Sequence, residues 1–225
     1  DGRFPTGRQL PHLPLLQARP DEGGLALTAP GQPSIHVDAP RPEHTTVEVW
    51  KESVAATPAA AEANAWISEY LGTAVRLVYM DDSVRRPVAP ANAREGDIVG
   101  FADSYPLMLL GRASLDLLNT RLDTPVFMTR FRPNFVVDTA QPHAEDAWSR
   151  IAIGDVEFDA AKDCTRCNFV NVDPATGRKP HGGQPLKTLA AYRRFAQGVT
   201  CGRHLIPRSS GVVRRGDALT VLATH

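Results

Sequence analysis

The sequence has few cysteines, no excess of charge of either sign and no long apolar run, and each absence argues against a class of protein. Only three of its 225 residues are cysteine, an odd number that argues against a secreted disulfide framework and favours a reducing compartment. Lysine and arginine together number 25, as do aspartate and glutamate, so no global field attracts nucleic acid or an anionic membrane. No apolar run reaches the roughly 18 to 20 residues that would span a bilayer. We therefore expect a cytoplasmic protein that binds neither nucleic acid nor membrane.

Several common catalytic motifs are missing as well. The seven histidines show neither the His-x3-His nor the His-Glu-x2-His spacing of a histidine-ligated metal site. The chain also has no Gly-rich phosphate loop and no Gly-x-Ser-x-Gly nucleophile elbow. These absences leave the cysteines as the strongest candidates for chemistry.

What the sequence does contain is frequent proline and glycine. Nineteen prolines and seventeen glycines separate short apolar stretches, a pattern typical of a strand-rich protein with many turns. The clearest exception is residues 58–71, where alanines and large apolar residues recur at helical spacing between Pro58 and Gly72. The predicted fold class is therefore mainly β with a few inserted helices. Further strands are predicted at residues 6–10, 24–28, 34–37, 45–50, 75–80, 98–102, 126–131, 135–137, 150–153 and 156–160, with shorter helices at 114–122 and 188–195 and a strand–turn–strand unit at 211–222.

The chain divides into two parts of unequal character. Residues 81–95 are polar and rich in proline and alanine, a composition typical of a linker. We therefore place a first module at residues 1–85 and a second at 86–225. Asp1-Gly2 is a dipeptide favoured in hairpin turns between two strands, so we expect that the first module lacks its opening strands in this chain.

Two cysteines three positions apart, Cys164 and Cys167, form the most informative motif. Arg166 lies between them, and neighbouring positive charge favours the thiolate that binds metals. Such a pair serves zinc, iron–sulfur clusters, dithiol exchange or a single thiolate bond to a heavier transition metal. With Cys201 and His204 the pair has the spacing of a tetrahedral zinc site. The alternative is that Cys164 and Cys201 are simply buried small apolar residues, which we favour for these two.

Two polar segments are candidates for binding an anionic ligand. Alternation along a predicted strand places Arg130 and Arg132 on one face next to Asn134, and an arginine fork suits phosphate or carboxylate. The alternative is a surface arginine paired with a nearby carboxylate, which spacing alone favours. The second segment, Asp103-Ser104, follows a predicted strand and offers short polar side chains, and the same residues also describe an ordinary Asx turn.

Seven motifs occur in the order found in a MOSC domain. They are Ser104-Tyr105-Pro106-Leu107, Ala113-Ser114-Leu115-Asp116-Leu117-Leu118-Asn119, Phe131-Arg132-Pro133-Asn134, Ala144-Glu145-Asp146-Ala147-Trp148, Ile153-Gly154-Asp155-Val156, Cys164-Thr165-Arg166-Cys167 and Val172-Asp173-Pro174. More narrowly, the sequence resembles the mitochondrial amidoxime-reducing components and their bacterial relatives. Residues 1–85, with Thr6-Gly7-Arg8-Gln9 and the helix containing Trp66, resemble the module that precedes MOSC in this branch. The resemblance implies an N-terminal β-barrel-like module with one helix, followed by a MOSC β-barrel with short inserted helices.

The resemblance also implies a molybdenum cofactor, molybdopterin, whose dithiolene supplies two sulfurs to the metal. The second cysteine of the pair, here Cys167, would supply another sulfur as catalytic residue and molybdenum ligand, and Cys164 would be dispensable. Asp103 is implied near the metal as a second catalytic residue. The implied cofactor-binding residues are Ser104, Arg132, Asn134, Thr165, Arg166 and His204, of which Arg132 and Asn134 would hold the pterin phosphate or the polar edge of its ring.

The implied activity is reduction of N-hydroxylated compounds such as amidoximes, hydroxylamines and N-hydroxy nucleobases. Some bacterial relatives carry a C-terminal iron–sulfur domain that this chain lacks, so we expect electrons from a separate flavin or iron–sulfur reductase. Pyridoxal phosphate, with which MOSC domains are also associated, has little weight because no lysine has a recognisable Schiff-base setting. Two other functions stay open: a sulfur carrier or cofactor-handling protein with a persulfide at Cys167, and a zinc-stabilised binding module.

Overall fold

The computed structural model describes residues 2–40, 43–89 and 92–225, and it is mostly β. Strands hold 35% of the residues and helices 18%, with a curled half-barrel sheet, which confirms the predicted fold class. The strands are β1 (Gln17–Asp21), β2 (Gly24–Ala29), β3 (Gln32–Asp38), β4 (Thr45–Val49), β5 (Glu52–Pro58), β6 (Val78–Tyr79), β7 (Leu107–Gly111), β8 (Phe135–Val137), β9 (Trp148–Ile153), β10 (Val156–Thr165), β11 (Arg194–Phe195), β12 (Gly198–Pro207) and β13 (Leu219–Thr224). The described residues also contain three α-helices, α1 (Ala61–Leu71), α2 (Arg112–Asn119) and α3 (Leu186–Ala190). None of these helices is long and apolar enough to cross a membrane.

The chain forms two compact units, of which the first contains residues 1–86 and 172–179. Its strands make two antiparallel three-stranded sheets, β1-β2-β3 and β4-β5-β6. Helix α1 buries Trp66 and Ile67 in a core shared with Leu27 of β2, and the Trp66 indole donates a hydrogen bond to the Pro33 carbonyl at 2.7 Å. The helix ends at Gly72, whose φ of 64° is the left-handed conformation that glycine adopts without steric cost.

The second unit contains residues 87–171 and 180–225 and is built on a seven-stranded sheet. Its strands run in the order β13-β9-β10-β12-β7-β8, and β11 pairs with β12. All pairings are antiparallel except β7 with β8. The apolar clusters of this unit include one around Phe131 and Leu118, another around Phe158 and Ile151, and a smaller one around Tyr105 and Val99. The end of β10 and the start of β8 are the two places that carry the candidate site.

Several predicted elements differ from the structure. The strand predicted at residues 126–131 is wrong, because Met128–Arg130 is a 3-10 turn, so Arg130 and Arg132 do not share a strand face. The strand predicted at 98–102 is reduced to a single bridge between Ile98 and Pro87. The helix predicted at 114–122 is α2, which spans Arg112–Asn119, and inside it the Ser114 hydroxyl donates to the buried Glu145 carboxylate at 2.8 Å.

Other boundaries moved, and some strands were missed. The segment 6–10 is turn rather than strand, 75–80 keeps only β6, 211–222 keeps only part of β13, and 188–195 is divided between α3 and β11. Strands β1, β5, β7 and β12 were not predicted. Asp1 of the predicted hairpin turn and residues 90–91 of the predicted linker lie outside the described residues. The division at residues 85 and 86 stays a proposal, and residues 172–179 join the first unit, which the sequence did not indicate.

Candidate active site

Cys167 lies just beyond the end of β10 and is exposed. Strand β10 is held on one side by β9 and on the other by β12. The backbone N–H of Arg166 still donates to the Val199 carbonyl at 2.7 Å, and the chain then turns into a 3-10 segment at Asn168–Asn171. The sheet therefore fixes the backbone up to residue 166 and leaves the next side chain, the Cys167 thiol, accessible.

Arg132 adopts an unusual backbone conformation next to this loop. Its φ is 51°, in the left-handed region that costs a non-glycine residue about 1 to 3 kcal/mol and is common at functional sites. Its guanidinium carbon lies 4.2 Å from the centre of the Phe169 ring, two residues beyond Cys167. This cation–π contact anchors the arginine side chain to the segment that carries the thiol.

The electrostatics of Arg132 show which other groups are near it. Desolvation by the surrounding protein, and then the charge of Arg166, lower the pKa of Arg132. Charges at Cys167, Asp103 and Cys164 act in the opposite direction on the same pKa. A cationic fork, an exposed thiol and the exposed carboxyl of Asp103 therefore share one region of the surface.

Asn134 has a structural role at this site. Its side-chain oxygen accepts a hydrogen bond from the backbone N–H of Met108 at 2.8 Å, and the backbone N–H of Asn134 donates to the Met108 carbonyl at 2.8 Å. These two bonds hold the start of β8 against β7. The side-chain oxygen is used within the fold, so the Nδ2 group is the part of this amide that is suited to bind a ligand.

The structure places the other predicted cofactor-binding residues as follows. Ser104 and Thr165 are exposed, and Thr165 is the last residue of β10. His204, on β12, is half-buried, and its ring stacks on the buried Tyr105 ring at 4.7 Å between centres. Sequence reasoning missed Tyr105 and Phe169 as supporting rings, although each lies within two residues of a predicted site residue, Ser104 and Cys167 respectively.

Cys164 meets the expectation of a buried small apolar residue only in part. Its sulfur accepts a hydrogen bond from the Arg166 Nη1 at 2.8 Å although the side chain is buried. Burial on its own raises the pKa of this thiol, but the Arg166 charge and the nearby His204 ring lower it to about 7. The expectation is therefore confirmed for the burial of Cys164, which lies in the apolar cluster around Phe131, but it did not include the charged donor at the sulfur. Cys201 fits it, since burial raises the pKa of its thiol to about 12.

The zinc site that the sequence left open as an alternative is not formed among the described residues. Across residues 2–40, 43–89 and 92–225, no three histidine, cysteine, aspartate or glutamate side chains are grouped so that they could hold a metal ion. Cys167 faces solvent while Cys164 and Cys201 are buried in the apolar cluster around Phe131. The four side chains therefore do not provide the tetrahedral set that structural zinc requires.

Comparison with known families decides what kind of domain carries this site. The MOSC domain profile matches residues 96–220, and that of the MOSC N-terminal beta barrel domain matches residues 1–74. The chain belongs to the MOSC domain family. MOSC domains bind the molybdenum cofactor, so the cofactor predicted from the sequence is the one that this family uses.

Full-length similarity agrees with this assignment. The human mitochondrial amidoxime-reducing component 1 is 32% identical over 239 residues, covering 99% of this chain and 70% of that protein. The zebrafish (Danio rerio) component 1 is 31% identical, covering 96% of this chain and 70% of that protein. The rat (Rattus norvegicus) component 2 is 34% identical over 205 residues, covering 86% of this chain and 60% of that protein. These names place the relatives in mitochondria, and a cytoplasmic location for this chain stays a prediction.

The residues at the site fit a molybdenum cofactor in the chemistry of their donors. A soft, accessible sulfur at Cys167 suits a metal whose other ligands are also soft. The Arg132 guanidinium and the Nδ2 group of Asn134 suit the phosphate and the polar ring edge of a pterin. A single protein sulfur is enough when the cofactor brings most of the coordination sphere.

Proposed function

We propose that this MOSC protein is a molybdenum-dependent oxidoreductase that reduces N-hydroxylated small molecules, with Cys167 as the protein ligand of molybdenum. The observation that carries the proposal is the exposed Cys167 thiol at the end of β10, two residues before Phe169, whose ring centre lies 4.2 Å from the Arg132 guanidinium carbon. The substrate class is supported by the names of the relatives, which are amidoxime-reducing components. When bound, the cofactor supplies the two-electron chemistry.

Each side chain at the site then has a defined task. Cys167 holds the metal through its thiolate, and Arg132 and Asn134 bind and orient the phosphate and ring edge of the cofactor. Arg132 also places a positive charge near the sulfur that holds the metal. Thr165 and Ser104 border the same surface and contribute polar contacts to the cofactor.

Asp103 is the candidate for proton handling. Removal of the hydroxyl oxygen of an N-hydroxylated compound as water consumes two electrons and two protons. The electrons come from a separate flavin or iron–sulfur protein, and the Asp103 carboxyl, near Arg132, holds and passes a proton at the oxygen that leaves. Asp103→Asn should therefore lower the reduction rate while leaving the molybdenum content unchanged.

The experiment uses the full chain produced in a host that makes molybdopterin. Molybdenum per chain is measured by elemental analysis, and reduction of an aromatic amidoxime is measured with a chemical electron donor. The wild type should hold about one molybdenum per chain and reduce the amidoxime, as one cofactor per MOSC domain requires. Cys167→Ala should lose both properties, whereas Cys201→Ala, which truncates a buried cysteine of the neighbouring core, should keep both. Retention of activity in Cys167→Ala would overturn the proposal.

A second candidate function is favoured by the same exposed thiol. An accessible Cys167 also suits a sulfur carrier that holds a persulfide. If the chain is a sulfur carrier, it should contain no molybdenum after expression in a host that makes molybdopterin. It should also release sulfur to cyanide, and this release should be lost in Cys167→Ala. Molybdenum content without cyanide-labile sulfur would reject this second function.

A further inference from the structure

Cys164 has a partner that a packing residue does not need. Its sulfur accepts the Arg166 Nη1–H at 2.8 Å, although only 6% of the residue is exposed. Cys201 lies in the same apolar cluster and is 1% exposed, and burial raises the pKa of its thiol. The two cysteines thus have equal size and similar burial, but the pKa of one thiol is lowered and that of the other is raised, which makes Cys201 a matched reference for Cys164.

Arg166 connects Cys164 to the segment that carries Arg132. Besides the bond to the Cys164 sulfur, its Nη2 donates to the Phe131 carbonyl at 2.6 Å. Its guanidinium carbon also lies 5.3 Å from the centre of the Phe131 ring. Two of the guanidinium donors are therefore used within the fold. One of them binds the carbonyl of the residue that directly precedes Arg132.

We propose that Cys164 is a positioning residue: its sulfur holds the Arg166 guanidinium, and Arg166 fixes the Phe131 carbonyl so that Arg132 keeps its left-handed conformation beside Cys167. This inference rests on the proposed function, departs from the dispensable Cys164 that the family resemblance implies, and assigns to Arg166 a task other than direct contact with the cofactor. The Arg166 guanidinium is planar, so fixing one of its donors also fixes the other. The Cys164 sulfur accepts from Nη1 and thereby orients Nη2 toward the Phe131 carbonyl.

Loss of the sulfur should release this chain of contacts. In Cys164→Ala the Arg166 Nη1 group loses its buried acceptor, and leaving a part-buried charged donor without an acceptor is unfavourable. The side chain then turns toward other acceptors, the Phe131 carbonyl loses its donor, and Arg132 is no longer held in a strained backbone conformation. Cys164→Ser keeps an acceptor of smaller radius, so it should restore part of the arrangement.

The first readout does not require cofactor. In the apoprotein labelled with nitrogen-15, we expect the Arg166 guanidinium signals of the wild type to be resolved and slow to exchange. They should merge in Cys164→Ala, together with a shift of the Arg132 backbone amide, and both should be partly restored in Cys164→Ser. Cys201→Ala should leave both signals as in the wild type. The dispersion of the same spectra shows that each variant is folded.

The second readout is molybdenum content after expression in the competent host. The molybdenum content of Cys164→Ala should be at least about tenfold lower than that of Cys201→Ala. A tenfold loss is the effect expected when one hydrogen bond to a charged group is removed. Equal spectra and equal molybdenum content in Cys164→Ala and Cys201→Ala would overturn the positioning role. A wild type without molybdenum would instead overturn the proposed function, and the spectra of the apoprotein would still decide the role of Cys164.

Discussion

Replacing Cys164 with serine should make the stability of the apoprotein less dependent on pH between about 7 and 9. In the folded state, burial opposes ionisation of this thiol, but Arg166 and His204 lower its pKa from the ordinary value of 9.0 to about 7. In the unfolded chain these partners are absent and the thiol titrates near its ordinary value. The two states therefore bind different numbers of protons across this range.

The sign and the size follow from this difference. Between pH 7 and 9 the native thiol has released its proton and the unfolded one has not, so the free energy of unfolding rises with pH. The contribution is complete above pH 9 and is lost as the pH falls toward 7. Each pH unit corresponds to about 1.4 kcal/mol, so the whole window is worth about 2 to 3 kcal/mol. Cys164 is buried, so solvent screens this contribution little.

The assay is urea unfolding under reducing conditions at several pH values across the window. The difference in unfolding free energy between the wild type and Cys164→Ser should grow with pH by about 2 to 3 kcal/mol. Cys201→Ser is the control, because its thiol has a pKa raised to about 12 and is protonated in the native state throughout the window. It should therefore follow the wild-type slope. A constant difference for Cys164→Ser would refute the reasoning.

Three further predictions follow from other contacts. Arg132→Lys removes the planar fork and should weaken cofactor retention during dialysis by about tenfold or more, whereas Arg130→Lys should retain molybdenum like the wild type. Glu145→Ala leaves two buried donors without their acceptor and should lower the free energy of unfolding by about 2 kcal/mol or more, against less than about 0.5 kcal/mol for the exposed Glu95→Ala. The pKa of His143 is lowered from 6.5 to about 4, first by burial and then by Arg193 and Arg121, so its contribution to stability is full above pH 6.5 and is lost as the pH falls to 4. In thermal unfolding, the melting temperature of His143→Gln should therefore fall less between pH 6.5 and 4 than that of the wild type. An equal fall in both proteins would contradict the assignment.

Local sequence patterns predicted those helices and strands in which composition, apolar spacing and terminal residues all favour the same structure. Helix α1 combines alanines, apolar residues at helical spacing and a terminal glycine, and the structure places it at Ala61–Leu71. Strand β12 was missed because Gly198 and Gly202 suggest turns and its Arg203 suggests a loop. In the structure Gly202 has a φ of 83°, and a Cβ there would lie 2.7 Å from the Leu109 carbonyl of β7. The glycine therefore permits close approach of two strands, which sequence position alone does not reveal.

The candidate site was likewise predicted only in part from local sequence patterns. The spacing of Cys164 and Cys167 indicated thiol chemistry, but it left zinc, redox exchange and a single thiolate ligand open. Family resemblance, rather than periodicity, joined Cys167 to Arg132, because no local pattern tells which loops meet in space. The sequence placed Arg166 between the two cysteines, but it did not indicate that this guanidinium joins the Cys164 sulfur to the Phe131 carbonyl, 35 residues earlier in the chain.

The most direct test of the account is the number of sulfur atoms bound to molybdenum, measured by X-ray absorption on the loaded protein. The account predicts that Cys167→Ser, loaded with excess cofactor, exchanges one sulfur neighbour of the metal for an oxygen. Cys201→Ser should keep the wild-type sulfur count. An identical sulfur count in the wild type and in Cys167→Ser would contradict the claim that Cys167 binds the metal.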